Sequence, residues 1–286
     1  LLLVPEHASF EMERRVSALF TAEEQRYVTL YSFPRLAENI FRECGGLTLR
    51  PMDEVSRALL MREAIAEVAD ALPLYRRQAA YPGFVTAMLQ TVADFKRAGL
   101  TPQAVAELSR QTGGALGQKL RDMQLIFDAF QALVEQRFHD PLDELTLALA
   151  RAEEKNWFAG RQVWVDSFDY FSVSERAMLQ HILLAADALT ISMTCPSLDA
   201  GEDIFLYQKK FLLRMRAYAA AHGCECEKPL ILTEDKRHQN AELAALQRAF
   251  TRPQTAAPAA GESLQLIEAP TVYEEMRFAA AEISRM

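Results

Sequence analysis

Asp166 is the residue of this sequence best placed to do chemistry. It follows Val163-Trp164-Val165, a short run of β-forming residues, and precedes Ser167-Phe168-Asp169-Tyr170-Phe171-Ser172-Val173-Ser174-Glu175. A buried strand that delivers a carboxylate at its carboxyl end is how phosphate-loop enzymes hold Mg²⁺, and ligands of open α/β sheets sit at that end. The alternative is a loop carboxylate that caps backbone amides. An attacking water would need a base beside the metal. The neighbour here is Ser167, which has no basicity at neutral pH, so efficient hydrolysis is not expected. Ser172 and Glu175, three residues apart, predict a capping box that starts the next helix.

Two more loops offer binding groups. Pro5-Glu6-His7-Ala8-Ser9-Phe10 follows the opening apolar run, and Ser32-Phe33-Pro34-Arg35-Leu36 follows the second. Together they supply hydrogen-bonding groups, an exposed aromatic and an arginine along one sheet edge, a combination suited to single-stranded nucleic acid. Lys209, Lys210, Arg214 and Arg216 form a dense basic cluster, read either as phosphate contacts or as a solvated helix face. Other chemistry is absent. The nearest approach to a phosphate-binding loop, Gly113-Gly114-Ala115-Leu116-Gly117-Gln118-Lys119-Leu120, has the wrong spacing, and Leu120 cannot ligate Mg²⁺. His222, Cys224 and Cys226 make at most three ligands with no second pair at zinc spacing, so no metal site is expected.

The elements that must position these loops follow from periodicity. Nearly continuous apolar or β-branched runs at 1–4, 27–33, 162–168, 188–195, 229–233 and 264–268 read as buried strands. Helical patterns between most of them predict an α/β fold with a largely parallel sheet. The interval 51–158 has no strand signal. It carries amphipathic seams at Val55/Leu59/Ala66/Leu72, Phe84/Met88/Val92/Phe95 and Leu116/Leu120/Met123/Phe127/Phe130/Val134. Thr101-Pro102 and Asp140-Pro141 are helix starts. The expected organisation is therefore a discontinuous α/β domain over 1–50 and 159–251, interrupted by an all-helical insertion over 51–158. A Pro/Ala-rich linker over 252–263 follows, and 264–286 opens another domain.

Composition sets the limits. Of 286 residues, 31 are basic and 39 acidic, for a net charge of −8, which excludes a general polyanion binder but not a narrow path built from a few loops. Half the residues are apolar, enough for a sizeable core. The four cysteines show no disulfide framework, and no apolar run reaches membrane-spanning length, so a cytoplasmic protein with no membrane partner is expected. The chain begins inside a strand-like run without Met and stops inside a helical pattern that starts near Thr271. Both ends read as cuts from a longer protein.

Four blocks, in order, resemble the AddB (RexB-type) B subunit of bacterial ATP-dependent helicase/deoxyribonucleases. Leu2-Leu3-Val4-Pro5-Glu6-His7-Ala8-Ser9-Phe10 is similar to the family's L-V-P-E-Q-x-[ST]-F. Thr29 to Ala37, running on to Gly45-Gly46, is similar to V-x-S-F-x-R-L-A…G-G. Lys119-Leu120-Arg121-Asp122 resembles K-L-x-D, and Val163 to Glu175 resembles V-W-V-D-G-F-x-x-F-[TS]-P-Q-E, a degenerate helicase motif II over Asp166, Ser167 and Asp169. The resemblance implies a RecA-like, P-loop NTPase-type parallel sheet that lacks its phosphate loop, with 264–286 starting a second RecA-like domain. It implies a DNA-binding role in processing double-strand DNA ends for recombination, with His7, Ser9, Phe33, Arg35, Phe168 and Phe171 lining a single-strand channel that can recognise Chi. An AddA-type helicase-nuclease partner is implied, and for the full-length relatives ATP with Mg²⁺ and a 4Fe–4S cluster. An active nucleotide-hydrolysing motor and a scaffold for the partner are the alternatives. Family members often have Gln at His7 and an aromatic at Glu38, and Asp169 and Tyr170 replace smaller or neutral residues.

Overall fold

A computed structural model describes residues 1–47, 49–195, 203–232, 240–251 and 263–285. Its sheet has four strands, all parallel, in the order β2-β1-β3-β4: β1 (Leu2–Leu3), β2 (Leu30–Tyr31), β3 (Gln162–Val165) and β4 (Ala188–Ile191). Leu3 pairs with Tyr31 on one side and Val165 on the other, and Val165 pairs with Ile191. The helices that follow the strands are α1 (Ser9–Leu19), α2 (Phe33–Cys44) and α8 (Val173–Ala185). The chain belongs to the α/β class.

Side-chain alternation explains the first core. Leu3, Val163 and Val165 point to one face and pack with Leu36, Ala37 and Ile40 of α2 and Met178, Leu179 and Ile182 of α8. The same core takes in Ala148 and Ala152 of α7 (Glu144–Lys155), whose small side chains let α7 lie close against α2, and Phe211 and Met215 of α9 (Leu206–Ala221). Alternate residues point the other way. Leu2, Leu30, Trp164 and Thr190 share one row of the opposite face and belong to neither core.

A second core is purely helical. It is built from α3 (Glu54–Val68), α4 (Pro82–Arg97), α5 (Pro102–Thr112) and α6 (Gly114–Arg137), around Met61, Met88, Val92, Val105, Phe127 and Phe130. The expected seams hold on α4 and over most of α6, although Leu116 is exposed. On α3 the expected face is wrong. Val55 and Leu59 are exposed, and Leu60, Met61, Ala64 and Ile65 are buried instead. Apolar and charged residues alternate around this helix, so its period alone does not select the inward side. The helical core also ends earlier than 158: Ala148, Ala152, Trp157 and Phe158 pack with the sheet.

The chain passes from one core to the other and back at one place. Pro51 and His139 form a parallel bridge, with Met52 N donating to His139 O at 3.0 Å and His139 N to Arg50 O at 3.1 Å. Beside it the buried Asp140 carboxylate accepts from Arg57 at 2.7 Å and from Lys96 at 2.8 Å, and Lys96 also reaches Asp143 at 2.6 Å.

Several strands are shorter than expected, and two are not strands. Glu24–Tyr27 is a 3₁₀ turn, β3 stops at Val165 and β4 at Ile191. Residues 229–232 and 264–268 carry no strand, with Leu230, Leu232 and Leu266 exposed. Their β-forming residues pair with no neighbour, and without a ladder an apolar run has no reason to be a strand. Residue 233 and 252–262 of the expected linker lie outside the described residues. A second compact unit takes in α10 (Ala241–Thr251) and α11 (Val272–Arg285), the latter begun by Thr271 as expected. Among the described residues no helix is long and apolar enough to cross a membrane.

Candidate nucleic-acid interface

The strand order creates a crevice. From β1 the chain turns towards β2, and from β3 it turns the other way towards β4, so the connections diverge between the carboxyl ends of β1 and β3. Ligands of open parallel sheets bind at such a switch point. One wall is the loop after β1, a 3₁₀ turn over Glu6–Ala8. The other is the loop from Asp166 to Ser172.

In the first wall His7 is exposed, whereas Ser9 is buried and donates to Glu6 O at 2.8 Å. Ser9 therefore shapes the loop and does not face a ligand. Phe10, at the start of α1, is 72% exposed. Arg35, on the first turn of α2, is exposed and held by two carboxylates, Glu13 at 3.1 Å and Glu6 at 3.9 Å.

In the second wall Asp166 is half-buried, and its two oxygens accept from the hydroxyls of Ser192 and, at 3.4 Å, Ser167. Ser167 has φ +65°, a left-handed conformation that costs a non-glycine residue ~1–2 kcal/mol. The family pattern places Gly there. Ser167→Gly is therefore expected to stabilise the fold by about 1 kcal/mol, read as a rise in the midpoint of urea unfolding; a fall would show that the Ser167 hydroxyl matters more than its backbone. Asp169 and Tyr170 point outward, and Tyr170 is 70% exposed. Ser172 and Glu175 make the expected capping box.

The aromatics behave differently from expectation. Phe33, Phe168 and Phe171 are buried, with ring centroids 5.4 Å apart for Phe33–Phe168 and 4.8 Å for Phe168–Phe171. Phe211 adds a fourth ring 4.6 Å from Phe171. Tyr207 fixes this cluster, its hydroxyl donating to Phe171 O and accepting from Phe171 N, both at 2.9 Å. A ring closed in a core cannot stack on a base, so these three phenylalanines support the loops from behind. The exposed rings on this edge are Phe10 and Tyr170. Their type gave no sign of it, since an aromatic beside a strand end can turn either way. The basic cluster is also split: Lys209 is buried, and Lys210, Arg214 and Arg216 are exposed.

Among the described residues the Asp166 carboxylate is partnered by hydroxyls, and no group of three or more His, Cys, Asp or Glu is placed to hold an ion by itself. Nor do Cys44, Cys195, Cys224 and Cys226 assemble the four thiolates of a 4Fe–4S cluster.

An all-parallel sheet with a carboxylate at its switch point defines an α/β protein whose candidate site lies at the carboxyl ends of its strands. The model of the AddB N-terminal family matches residues 1–247, and the chain belongs to that family. It is 31% identical over its whole length to the B subunit of the ATP-dependent helicase/deoxyribonuclease of Symbiobacterium thermophilum and 28% identical to that of Clostridium tetani. In both cases it covers 26% of the relative, so the chain spans about a quarter of the length of the curated relatives it matches.

Proposed function

We propose that this chain is the helicase-like amino-terminal part of a B subunit, and that its carboxyl sheet edge guides single-stranded DNA during the processing of double-strand ends. In this reading 1–50 and 159–251 form a RecA-like domain, the helical body is its insertion, and 264–286 opens a second RecA-like domain. The partner is an AddA-type helicase-nuclease. The observation that carries the reading is the switch-point edge, where Phe10, Tyr170, His7 and Arg35 are exposed in the loops and first helical turns after the strands, in a chain of this family. Stacking rings and a guanidinium suit bases and phosphates without reading sequence. Glu38, exposed where relatives often carry an aromatic, repels phosphate and cannot stack, so guiding is favoured over Chi recognition. A nucleotide-driven motor is disfavoured, because the residue after Asp166 is Ser167, which is no general base at neutral pH.

The test is fluorescence anisotropy with single-stranded DNA on the full-length two-subunit complex. Phe10→Ala and Tyr170→Ala should each weaken binding about 5-fold or more, the loss of one stacked base. Glu6→Gln with Glu13→Gln should strengthen it about 2- to 5-fold, because exposed ion pairs of ~0.2–1 kcal/mol compete with phosphate for Arg35. Unchanged affinity in all four substitutions rejects the edge as a DNA path and leaves the scaffold reading.

A further inference from the structure

The loop between β3 and α8 has no backbone scaffold of its own. Residues 167–171 make no backbone-to-backbone hydrogen bond among the described residues. Buried Phe168 and Phe171 pin its two ends, and Asp169 and Tyr170 form the exposed crown between them. A stretch of this kind keeps one conformation only where neighbouring side chains satisfy its amides and carbonyls. Most of those side chains stand on the first turn of α9. The Tyr207 hydroxyl serves both Phe171 N and Phe171 O, each at 2.9 Å, and Gln208 Nε2 donates to Asp169 O at 3.2 Å. One further bond, from Arg176 to Phe171 O at 3.3 Å, comes from α8.

Helical spacing explains how α9 does this. Tyr207 and Phe211, four residues apart, share one face of the helix. Both meet Phe171, the first through its hydroxyl and the second ring to ring at 4.6 Å. Core filling accounts for Phe211, which is 3% exposed, but not for its neighbours: Tyr207 is 38% exposed and Gln208 is half-buried. What Tyr207 and Gln208 supply is polar groups set against the backbone of the loop. A loop restrained before its ligand arrives loses less entropy on binding.

We propose that Tyr207 and Gln208 are positioning residues for single-stranded DNA, acting through Tyr170 by fixing the crown at which its ring stacks on a base. The proposal rests on the DNA-guiding reading and adds to it two residues outside the strand-end loops.

A double-mutant cycle tests it, read by fluorescence anisotropy with single-stranded DNA on the full-length two-subunit complex. Tyr207→Phe keeps the ring and removes the hydroxyl. It should weaken binding about 3-fold or more, and Gln208→Ala about 2-fold, the worth of one or two hydrogen bonds. In the Tyr170→Ala background neither should weaken it further, because residues that act through one another are not additive. Without DNA, hydrogen exchange over 167–171 should be faster in Tyr207→Phe. A residue that only supports the fold would lower affinity equally with and without the Tyr170 ring, and that result overturns the proposal. Unchanged exchange over 167–171 overturns it too. If Tyr170→Ala weakens binding while Tyr207→Phe and Gln208→Ala do not, the proposal fails and the DNA-guiding reading stands. If Tyr170→Ala is itself without effect, the DNA-guiding role of this loop fails and the proposal falls with it.

Discussion

Replacing Phe171 by alanine should lower stability by about 4 kcal/mol, while Phe171→Leu costs no more than ~1.5 kcal/mol. Phe171 is 2% exposed and sits among Phe33, Phe168 and Phe211, so truncation opens a cavity at the centre of a four-ring cluster. It also loosens the loop that Tyr207 holds through the Phe171 backbone. Phe10→Ala and Tyr170→Ala, on the exposed side of the same edge, should change stability by less than about 0.5 kcal/mol. Urea unfolding followed through Trp157, a member of the same core, measures the difference. If Phe171→Ala left stability intact yet abolished DNA binding, the division between supporting and contacting rings would be wrong.

The second large effect lies in the helical body. Asp122 on α6 is fully buried, and one carboxylate oxygen accepts from the backbone amides of Leu74 and Tyr75 at 2.9 and 3.0 Å. Among the described residues the other oxygen has no hydrogen-bond partner. Asp122→Ala strands two amides, each worth ~1–3 kcal/mol when left unsatisfied, for an expected loss of about 3 kcal/mol. Asp122→Asn keeps an acceptor in place and should lose about 1 kcal/mol. Hydrogen exchange at the Leu74 and Tyr75 amides localises the effect, which should be fast in the alanine variant and nearly unchanged in the asparagine one. Protection that persists in the alanine variant would mean the turn is held by other contacts.

What was legible in the sequence was local. The capping pair Ser172/Glu175, the Thr101 cap and the apolar runs around Leu3, Val163 and Leu189 act within a few residues of themselves, and each formed. What escaped depended on distant partners. Arg35 meets Glu13 across 22 residues and Asp122 meets Leu74 across 48, and no spacing rule announces either contact. The inward turn of Phe33 depends on Phe168, Phe171 and the strand beneath it. Residues 229–232 show the converse, since their composition asks for a strand and no ladder receives it. The burial of Phe33, Phe168 and Phe171 was therefore not legible from local spacing.

The Pro51–His139 bridge has a consequence for how such chains vary in length. Everything between these residues departs from and returns to a single point beside the sheet. For the sheet the whole excursion acts as one closed loop, and the entropy of closing a loop grows only with the logarithm of its length, ~0.6 kcal/mol per doubling. Turns or whole helices could be gained or lost in that excursion with little penalty to the four strands, provided the buried Asp140 keeps Arg57 and Lys96 at the gate. Changes of size in that body would reach the sheet edge only where it also touches the sheet layer, as Gly99 does against Val173.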